Sequence, residues 1–251
     1  MYNPETERLD EINESLSLIQ CKTGLTFGTD SYLLAAFAHP APREPCVELG
    51  GGTGVVSLLA ASRDRYQTVH TIEIQPYFAD LIARNASLNH LDHRVHPTCA
   101  DVRGLTPDLF GGEVPSVLSN PPYMKADSGK NNAAPEMNIA RREENGTIID
   151  FCAAAKRLLK WGGYFTVVYR PDRFADLVCA MRENGLEPKR VVFVYPSAAD
   201  KPCLVLTEAK KGGSSGLVIA RPLIIYKDKT SSLYTDDMQQ VYDTFSLEHL
   251  F

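Results

Sequence analysis

The stretch PCVELGGGTGVVSLLAAS, residues 45–62, decides the fold. It begins as a short apolar run, passes through four glycines between positions 50 and 54, and continues as a second apolar run of helical length. Glycine permits a tight turn between a buried strand and a helix, and it lets a ligand approach the backbone closely. The stretch therefore predicts a strand, a turn and a helix, with a ligand bound at the turn.

The same alternation continues along the chain. Further strands are predicted at 68–74, 94–99, 114–120 and 164–169, and further helices at 76–89, 147–160 and 172–184. Pro76 suits the first turn of its helix, and Gly162 and Gly163 are expected to end the helix that begins at Thr147. Strands that alternate with helices indicate a parallel, doubly wound sheet. The late apolar runs at 189–195, 202–209 and 217–226 have short connections and predict antiparallel strands at the C-terminal edge.

We therefore expect a Rossmann-like α/β fold with a mostly parallel, seven-stranded sheet. Residues 1–251 are predicted to form one domain, with an N-terminal cap segment at 1–44, a core at 45–226 and a C-terminal tail at 227–251. Apolar residues of the tail are spaced as in an amphipathic helix, which can dock on the core or on a second subunit: Tyr234, Met238, Val241, Tyr242 and Phe245. The sequence leaves the oligomeric state open.

Composition narrows the class of protein. The chain of 251 residues is 44% hydrophobic, yet no apolar run approaches the ~20 residues that span a bilayer. The N-terminus is polar and acidic, unlike a secretory signal. We expect a cytoplasmic protein with no membrane partner and with buried, reduced cysteines. No metal is expected, because the cysteines are far apart and because His90, His93 and His96 straddle a helix end and a strand start.

The net charge of −5 is unevenly placed. Residues 156–229 carry 14 basic and 7 acidic side chains, whereas residues 1–155 carry 12 basic and 20 acidic ones. A basic block in an acidic chain is a candidate surface for a phosphate backbone. Charge alone nevertheless favours an ordinary solvated face of mixed charge.

The predicted turn suits a particular kind of cofactor. Dinucleotide-binding turns have a glycine where this chain has Val55. The spacing Gly50-x-Gly52-x-Gly54 suits a methionine-derived cofactor better than a pyrophosphate. In parallel sheets, ligands bind at the carboxyl ends of the strands, so the residues at the next strand ends are candidate contacts.

Two acidic residues stand at those strand ends. Glu73 ends the second strand and can accept hydrogen bonds from ribose hydroxyls, a role shared by sites for dinucleotides and for S-adenosylmethionine. Asp101 follows Cys99 and Ala100 and can accept a hydrogen bond from an adenine amino group. Asp101 also suits the N-cap of a helix.

The fourth strand ends in Ser119-Asn120-Pro121-Pro122-Tyr123, which indicates the chemistry. Proline has no N–H, so this stiff turn presents the Asn120 side-chain oxygen and an adjacent backbone carbonyl as acceptors beside an aromatic ring. Two acceptors on an exocyclic amine or an amide favour a tetrahedral nitrogen whose lone pair can attack a methyl group. Tyr123 can stack on the planar group. Oriented dipoles stabilise the reaction without an acid or base residue. We therefore predict that Asn120, Pro121, Pro122 and Tyr123 are catalytic.

These motifs resemble those of class I methyltransferases with an Asn-Pro-Pro-Tyr motif, and more closely those of the bacterial tRNA1(Val) adenine-N6 methyltransferases. The resemblance covers roughly residues 18–226. It rests on seven stretches: Phe27 to Asp30 with Leu33-Leu34, the turn at 50–54, Asn120 to Tyr123, Ala140 to Glu143, Leu158 to Lys160 with Gly162-Gly163, Leu186 to Arg190, and Pro222 to Tyr226. It departs from the family at Glu48, where Asp is more frequent, and at Gly51.

The resemblance implies S-adenosylmethionine as the cofactor and, as the substrate, the adenosine just 3′ of a tRNA anticodon. It implies that Gly28, Thr29 and Asp30 pack over the methionine end of the cofactor. The full set of predicted cofactor contacts is Gly28, Thr29, Asp30, Glu48, Gly50, Gly52, Gly54, Glu73, Ala100, Asp101 and Asn120.

The polar segment 124–146 follows the predicted catalytic turn and lacks periodicity. Long loops in compact domains are often functional, and a base that is methylated must be splayed out of its stack. We predict that Lys125, Lys130, Arg141 and Arg142 hold the flanking phosphates.

Other functions share parts of this pattern. A protein glutamine methyltransferase acting on release factors uses the same chemistry, but such enzymes resemble each other in an extra helical domain before the glycine turn. An rRNA guanine-N2 methyltransferase more often has Phe at the end of the motif. A catalytically inactive RNA-binding protein would not require the intact Asn120 and Glu73. An NAD-dependent dehydrogenase is disfavoured because no hydride-site pattern such as Tyr-x-x-x-Lys is present.

Overall fold

The computed structural model describes residues 2–23, 28–122, 146–230 and 232–251. Within these residues the strands are β1 (Glu7–Asn13), β2 (Leu16–Cys21), β3 (Ala41–Leu49), β4 (Tyr66–Glu73), β5 (Val95–Cys99), β6 (Val114–Ser119), β7 (Leu159–Tyr169), β8 (Leu186–Tyr195), β9 (Leu204–Lys211), β10 (Val218–Ile219) and β11 (Leu223–Ile224). The α-helices are α1 (Thr29–Phe37), α2 (Val55–Ser62), α3 (Pro76–Leu88), α4 (Ile148–Leu158), α5 (Phe174–Glu183) and α6 (Asp236–Thr244).

The main sheet has the strand order β10-β8-β9-β7-β6-β3-β4-β5, and β11 also pairs with β8. The pairs among β3, β4, β5, β6 and β7 are all parallel. Strand β9 lies antiparallel between β7 and β8. The predicted doubly wound, mostly parallel sheet with antiparallel pairing at the C-terminal edge is therefore confirmed.

Seven long strands and two short ones make up this sheet. The run 217–226, predicted as one strand, forms two strands of two residues each, and both pair in parallel with β8. Pro222 lies between them. Because proline has no N–H to donate to a neighbouring strand, it interrupts the ladder at that point.

Helices cover both faces of the sheet. One apolar cluster contains the buried side chains of α1, α2, α6 and part of α3, and the other contains those of α4 and α5. Fully buried Leu and Val residues of the central strands join both clusters, as expected for a parallel sheet that is buried on both faces. The central part of the sheet is therefore buried on both faces.

The junction between α4 and β7 differs from its prediction. The helix ends at Leu158 and the strand begins at Leu159, so the two glycines lie inside β7 rather than at a helix end. The pairing with β6 shifts between Val114 and Ser116, and Gly162 adopts a φ of 81° within this bulge. Trp161 is 78% exposed at the bulge.

The described residues before β3 form a β1–β2 hairpin and the helix α1, neither of which was predicted from the sequence, and β3 itself begins at Ala41 rather than at 45. An ion pair between Glu7 and Arg84 ties the hairpin to α3, with the two terminal guanidinium nitrogens, Nη1 and Nη2, 2.9 and 2.8 Å from the carboxylate oxygens. Tyr77 donates to the same carboxylate at 2.8 Å. The hairpin is thereby fixed beside the helix that follows the β4 strand end.

The C-terminal tail packs on the core of its own chain. The predicted amphipathic helix is α6, whose Met238 and Val241 are fully buried. The ring of Tyr242 lies 4.6 Å from that of Tyr32 on α1, and Phe245 meets the same ring edge-on at 5.1 Å. The tail therefore covers the outer side of the helix α1.

The described residues also bear on membrane-spanning helices, on clusters of metal ligands and on the state of each cysteine. No helix among them has the length and apolar character needed to cross a membrane, and no three potential metal-ligating side chains within this part of the chain cluster together. All six cysteines are free thiols. Cys46 and Cys152 are buried as expected, whereas three others are exposed: Cys99 at the end of β5, Cys179 on α5, and Cys203 directly before β9.

Candidate active site

The glycine turn follows β3 and is built from left-handed backbone. Gly50, Gly52 and Gly54 have φ values of 76°, 54° and 84°, which side chains with a Cβ rarely adopt. The N–H groups of Gly50 and Gly51 both donate to the carbonyl of Ile72 on β4, at 2.9 and 3.0 Å. The turn is thus held against the neighbouring strand end.

Steric crowding explains why position 51, one of the two departures from the related family, is a glycine. A Cβ atom at this position would lie 2.2 Å from Thr71 Cγ2 and 3.1 Å from Ile82 Cδ1. By contrast, nothing lies within 4 Å of a Cβ placed on Gly52. The turn therefore packs against Thr71 and Ile82 at Gly51. At Gly52 it is open, and a ligand can approach the backbone there.

Glu73 lies at the carboxyl end of β4, as predicted, and is 6% exposed. One carboxylate oxygen accepts the N–H of Gly52 at 2.9 Å, and the other accepts the N–H of Gln75 at 2.9 Å. Burial raises the pKa of the Glu73 carboxyl. A carboxylate has about four acceptor positions, so these two bonds leave capacity for ligand hydroxyls.

Glu48 is placed differently from its prediction as a cofactor contact. The side chain is 1% exposed, and its carboxylate accepts the backbone N–H of Ser57 at 3.0 Å together with the Ser57 hydroxyl. That hydroxyl lies 2.6 Å from the hydroxyl of Thr71. Burial raises the pKa of Glu48 to about 8. The sheet and α2 enclose Glu48, so it supports the glycine turn from inside the protein.

Asp101 follows β5 and is the N-cap of the short helix Val102–Gly104. Its carboxylate accepts the backbone N–H of Arg103 at 2.9 Å and pairs with the Arg103 guanidinium. The hydrogen bond from that side chain lowers the pKa of Asp101. The N–H of Ala100 donates to the Glu73 carbonyl at 3.0 Å, which aligns the ends of β4 and β5. Asp101 therefore has the capping role that was one of its two expected roles, and its cofactor role stays a prediction.

Asn120 follows β6 and contacts the first turn of α1. Its Nδ2 atom donates to Asp30 Oδ2 at 2.9 Å. The Ser119 hydroxyl donates to the Leu49 carbonyl at 2.8 Å, which joins the ends of β6 and β3. Pro121 is buried and Pro122 is half-buried. The remaining predicted site residues, Tyr123, Lys125, Lys130, Arg141 and Arg142, lie outside the described residues.

The structure thus brings most predicted positions to one edge of the sheet. The turn at 50–54, Glu73 and Asn120 stand at the ends of adjacent parallel strands, and Gly28, Thr29 and Asp30 begin the helix α1 beside Asn120. Sequence reasoning missed Asn85, whose completely buried side chain joins α3 to β2 and to the backbone of Thr53. The sequence did contain a sign of this role, because Asn85 is a polar residue within the apolar stripe of α3 and a buried polar side chain needs hydrogen-bond partners.

These residues fit a cofactor with an amino-acid end and a nucleoside end. An open glycine backbone, a buried acid at the second strand end and an acid after the third strand occupy neighbouring positions. An asparagine amide after the fourth strand completes the edge. The fold and this site define a class I methyltransferase that uses S-adenosylmethionine.

Comparison with known proteins agrees with this class. The family described as "Methyltransferase small domain" matches residues 15–182, more than half of the chain, and the protein belongs to that family. A tRNA1(Val) (adenine(37)-N6)-methyltransferase from Flavobacteriaceae bacterium (strain 3519-10) is 27% identical, over 75% of this chain and 78% of its own.

Two solved structures share the fold. One is described as a predicted O-methyltransferase from Agrobacterium tumefaciens, with a TM-score of 0.69 and 20% identity over 86% of this chain and 97% of its own. The other is a geranyl diphosphate C-methyltransferase from Streptomyces coelicolor A3(2), solved in complex with Mg2+, geranyl diphosphate and S-adenosyl-L-homocysteine. Its TM-score is 0.52 and its identity 16%, over 73% of this chain and 79% of its own.

Proposed function

We propose that the protein methylates N6 of an adenosine in tRNA, next to the anticodon. The observation that carries this proposal is the placement of Asn120 at the end of β6, with its Nδ2 bonded to Asp30 and two prolines following. The name of the relative from Flavobacteriaceae bacterium supports the choice of an adenine in tRNA.

The proposed chemistry depends on hydrogen bonds between the turn after β6 and the amino group of the substrate adenine. The nitrogen is a weak nucleophile because its lone pair is delocalised into the ring. We assign two acceptors to its N–H bonds, Asn120 Oδ1 and the adjacent backbone carbonyl. These acceptors favour a tetrahedral nitrogen, and because they are already oriented they need no reorganisation during the reaction. Tyr123, directly after the prolines, is assigned to stack on the base.

The methyl donor would be held by the glycine turn, Glu73, Asp101, and Gly28 and Thr29 at the start of α1. When bound, S-adenosylmethionine would supply a methyl group from a positively charged sulfur: the amino nitrogen would form the N–C bond with its electron pair, the C–S electrons would stay on sulfur, and the nitrogen would release a proton to water. The open side of Gly52 lets the donor approach the backbone. The carboxylate of Glu73, with acceptor positions remaining, is assigned to the ribose hydroxyls.

The test is methyl transfer from S-adenosylmethionine to tRNA that lacks modifications, followed by nucleoside mass spectrometry. The proposal expects new N6-methyladenosine, and digestion into oligonucleotides should place it beside the anticodon. Methylation of release-factor glutamine without methylation of tRNA would instead support the protein glutamine methyltransferase. N2-methylguanosine formed in rRNA would support the guanine enzyme. Cofactor binding with no transfer to any of the three substrates would contradict the proposal.

We also propose that Lys125, Lys130, Arg141 and Arg142 bind tRNA phosphates. Each phosphate contact that is lost reduces the dependence of log affinity on log salt concentration by roughly 0.7–0.9. Replacement of Arg141 and Arg142 by alanine should therefore weaken tRNA binding and flatten its salt dependence. Unchanged binding and an unchanged salt slope would remove this assignment.

We propose that residues 1–251 act as one methyltransferase domain, with 1–44 as a cap, 45–226 as the core and 227–251 as a tail. The ion pair of Glu7 with Arg84 and the packing of Tyr242 against Tyr32 support this arrangement. Thermal unfolding should then show a single transition in which probes of the hairpin and of the tail coincide with probes of the core. Separate transitions would indicate independent parts.

A further inference from the structure

We propose that Asp30 is a positioning residue, which sets the orientation of the Asn120 side-chain amide. This inference rests on the proposed function, because it assigns Asn120 as the acceptor for the substrate amino group. It differs from the role that family resemblance implies for Asp30, which is contact with the cofactor.

The geometry between the two side chains is direct. Asp30 lies in the first turn of α1, and its Oδ2 atom accepts a hydrogen bond from Asn120 Nδ2 at 2.9 Å across 90 residues of sequence. The other oxygen, Oδ1, accepts the backbone N–H of Ser31 at 2.8 Å. An acid in the first turn of a helix also interacts favourably with the helix dipole. The carboxylate is therefore held in place from its own helix while it contacts Asn120.

Gly28 gives a second, independent observation. Its φ is −125°, an extended conformation that any residue can adopt, so the backbone does not require glycine here. A Cβ atom at this position would, however, lie 2.6 Å from Asp30 Oδ1. Glycine at 28 thus leaves room for the Asp30 carboxylate in the orientation that reaches Asn120.

The consequence for the reaction follows from the asymmetry of an amide. An asparagine amide has one acceptor end and one donor end of nearly equal size. Presented the wrong way round, its donor end would face the N–H bonds of the substrate amine. A carboxylate has no hydrogen to donate and can bond only to Nδ2, so Asp30 selects the orientation that assigns Oδ1 as the acceptor for the substrate amino group. Hydrogen bonds to charged groups are the stronger ones, and the bias is present before the substrate binds.

The first experiment separates positioning from cofactor binding. Asp30→Ala should lower kcat by roughly 10–100-fold, the loss expected for one charge-assisted hydrogen bond, and should leave the Kd for S-adenosylmethionine unchanged. Asp30→Asn should recover only part of the lost kcat, because its oxygen can still accept from Asn120 Nδ2 but its NH2 group can also donate to Asn120 Oδ1, so one orientation is no longer selected. Asp236→Ala, which removes a first-turn acid from α6, is the matched control and should leave kcat unchanged. Loss of cofactor affinity in Asp30→Ala, or a wild-type kcat in that variant, would overturn the proposal.

A double-mutant cycle tests whether Asp30 acts through Asn120. In an Asn120→Ala background, Asp30→Ala should cause no further loss of kcat, because the amide that it orients is gone. A further loss of the same factor would show that Asp30 acts on something else and would contradict the proposal.

A measurement on the protein without substrate keeps the inference separate from the proposed function. The Asn120 side-chain amide signal in a proton–nitrogen NMR spectrum can be identified by its loss in Asn120→Ala. It should move upfield in Asp30→Ala and stay in place in Asp236→Ala. If wild-type protein does not methylate tRNA but this shift occurs, the proposed function fails and the positioning role stands. An unmoved signal overturns the positioning role whatever the substrate.

Discussion

The buried side chain of Asn85 on α3 pairs with the backbone of Ile19 on β2 as a neighbouring strand would. Its Oδ1 atom accepts the Ile19 N–H at 2.7 Å, and its Nδ2 atom donates to the Ile19 carbonyl at 3.1 Å. The same Nδ2 donates to the carbonyl of Thr53 in the glycine turn at 3.0 Å. One amide therefore connects the N-terminal hairpin, the helix α3 and the glycine turn.

Replacing Asn85 by alanine should destabilise the protein by at least about 3 kcal/mol. Buried backbone groups without a partner cost roughly 1–3 kcal/mol each, and three of them would lose theirs. Asn89→Ala is the matched control: it also removes two bonds to β2, to the N–H and carbonyl of Ser17, but at a half-buried site where water can replace them. Urea denaturation measures both variants. Equal losses of free energy of unfolding would contradict the role assigned to Asn85.

The pair of Glu7 with Arg84 should make stability depend on acid pH. The hydrogen bond from Arg84 lowers the pKa of Glu7 from 4.5 to about 2. A lowered pKa in the folded state means that the stabilisation is complete above about pH 4.5 and is lost as the pH falls towards 2. Free energy of unfolding should therefore drop over that window, and the drop should be smaller in Arg84→Met. Parallel pH curves for the two proteins would rule this out.

Glu48 should produce the opposite pH dependence. Burial raises its pKa from 4.5 to about 8, so the folded protein keeps a proton that the unfolded chain releases. Its contribution to stability is fully present below pH 4.5 and declines as the pH rises to about 8. Glu48→Gln, which carries no titrating group, should flatten the pH dependence between these values in thermal unfolding. A decline of the same size in the variant would show that other groups cause it.

Gly51→Ala should disrupt the glycine turn by collision with Thr71. Overpacking of this kind costs about 1–3 kcal/mol, and the shifted turn should also bind S-adenosylmethionine more weakly. Adding Thr71→Ser removes the colliding methyl group and keeps the hydroxyl that contacts Ser57. Calorimetric titration and thermal unfolding should therefore show partial recovery in the double variant. No recovery would place the cause elsewhere than at Thr71.

Asn120→Ala should nearly abolish methyl transfer while the fold stays intact. Loss of one oriented group that stabilises a transition state costs roughly 100- to 1,000-fold in kcat. Single-turnover transfer to tRNA measures the effect, and circular dichroism checks the fold. A variant that keeps the wild-type rate would remove Asn120 from the mechanism.

The prediction of the core from the sequence succeeded where the signal is local. The strand, turn and helix at 45–62 and the helix beginning at Pro76 depend on apolar periodicity and on glycine and proline at defined positions. It failed at the junction after Leu158, because a glycine pair at a helix end and a glycine in a strand bulge look alike without the pairing partner. The bulge exists because β7 must realign with β6.

For the site, the strand-end positions of Glu73, Asp101 and Asn120 followed from the sequence, and the orientation of side chains did not. Glu48 sits one residue before Leu49 in the strand that leads to the turn, yet its carboxylate faces Ser57 inside the protein. The alternation of side chains along a strand sends neighbouring residues to opposite faces. Which face holds the cofactor and which holds α2 depends on the path of the chain after the turn.

The sequence by itself determined the class of fold, and it predicted the edge of the sheet proposed to bind the ligand and the turn proposed to carry the chemistry, since each depends on residues close together in the chain. Only the tertiary structure decided that Asp30 contacts Asn120, that Asn85 reaches Ile19, and that Glu7 pairs with Arg84. These partners are 90, 66 and 77 residues apart. They meet because strand order and helix packing place their elements side by side, and a hydrogen bond forms only where that packing brings donor and acceptor within about 3 Å.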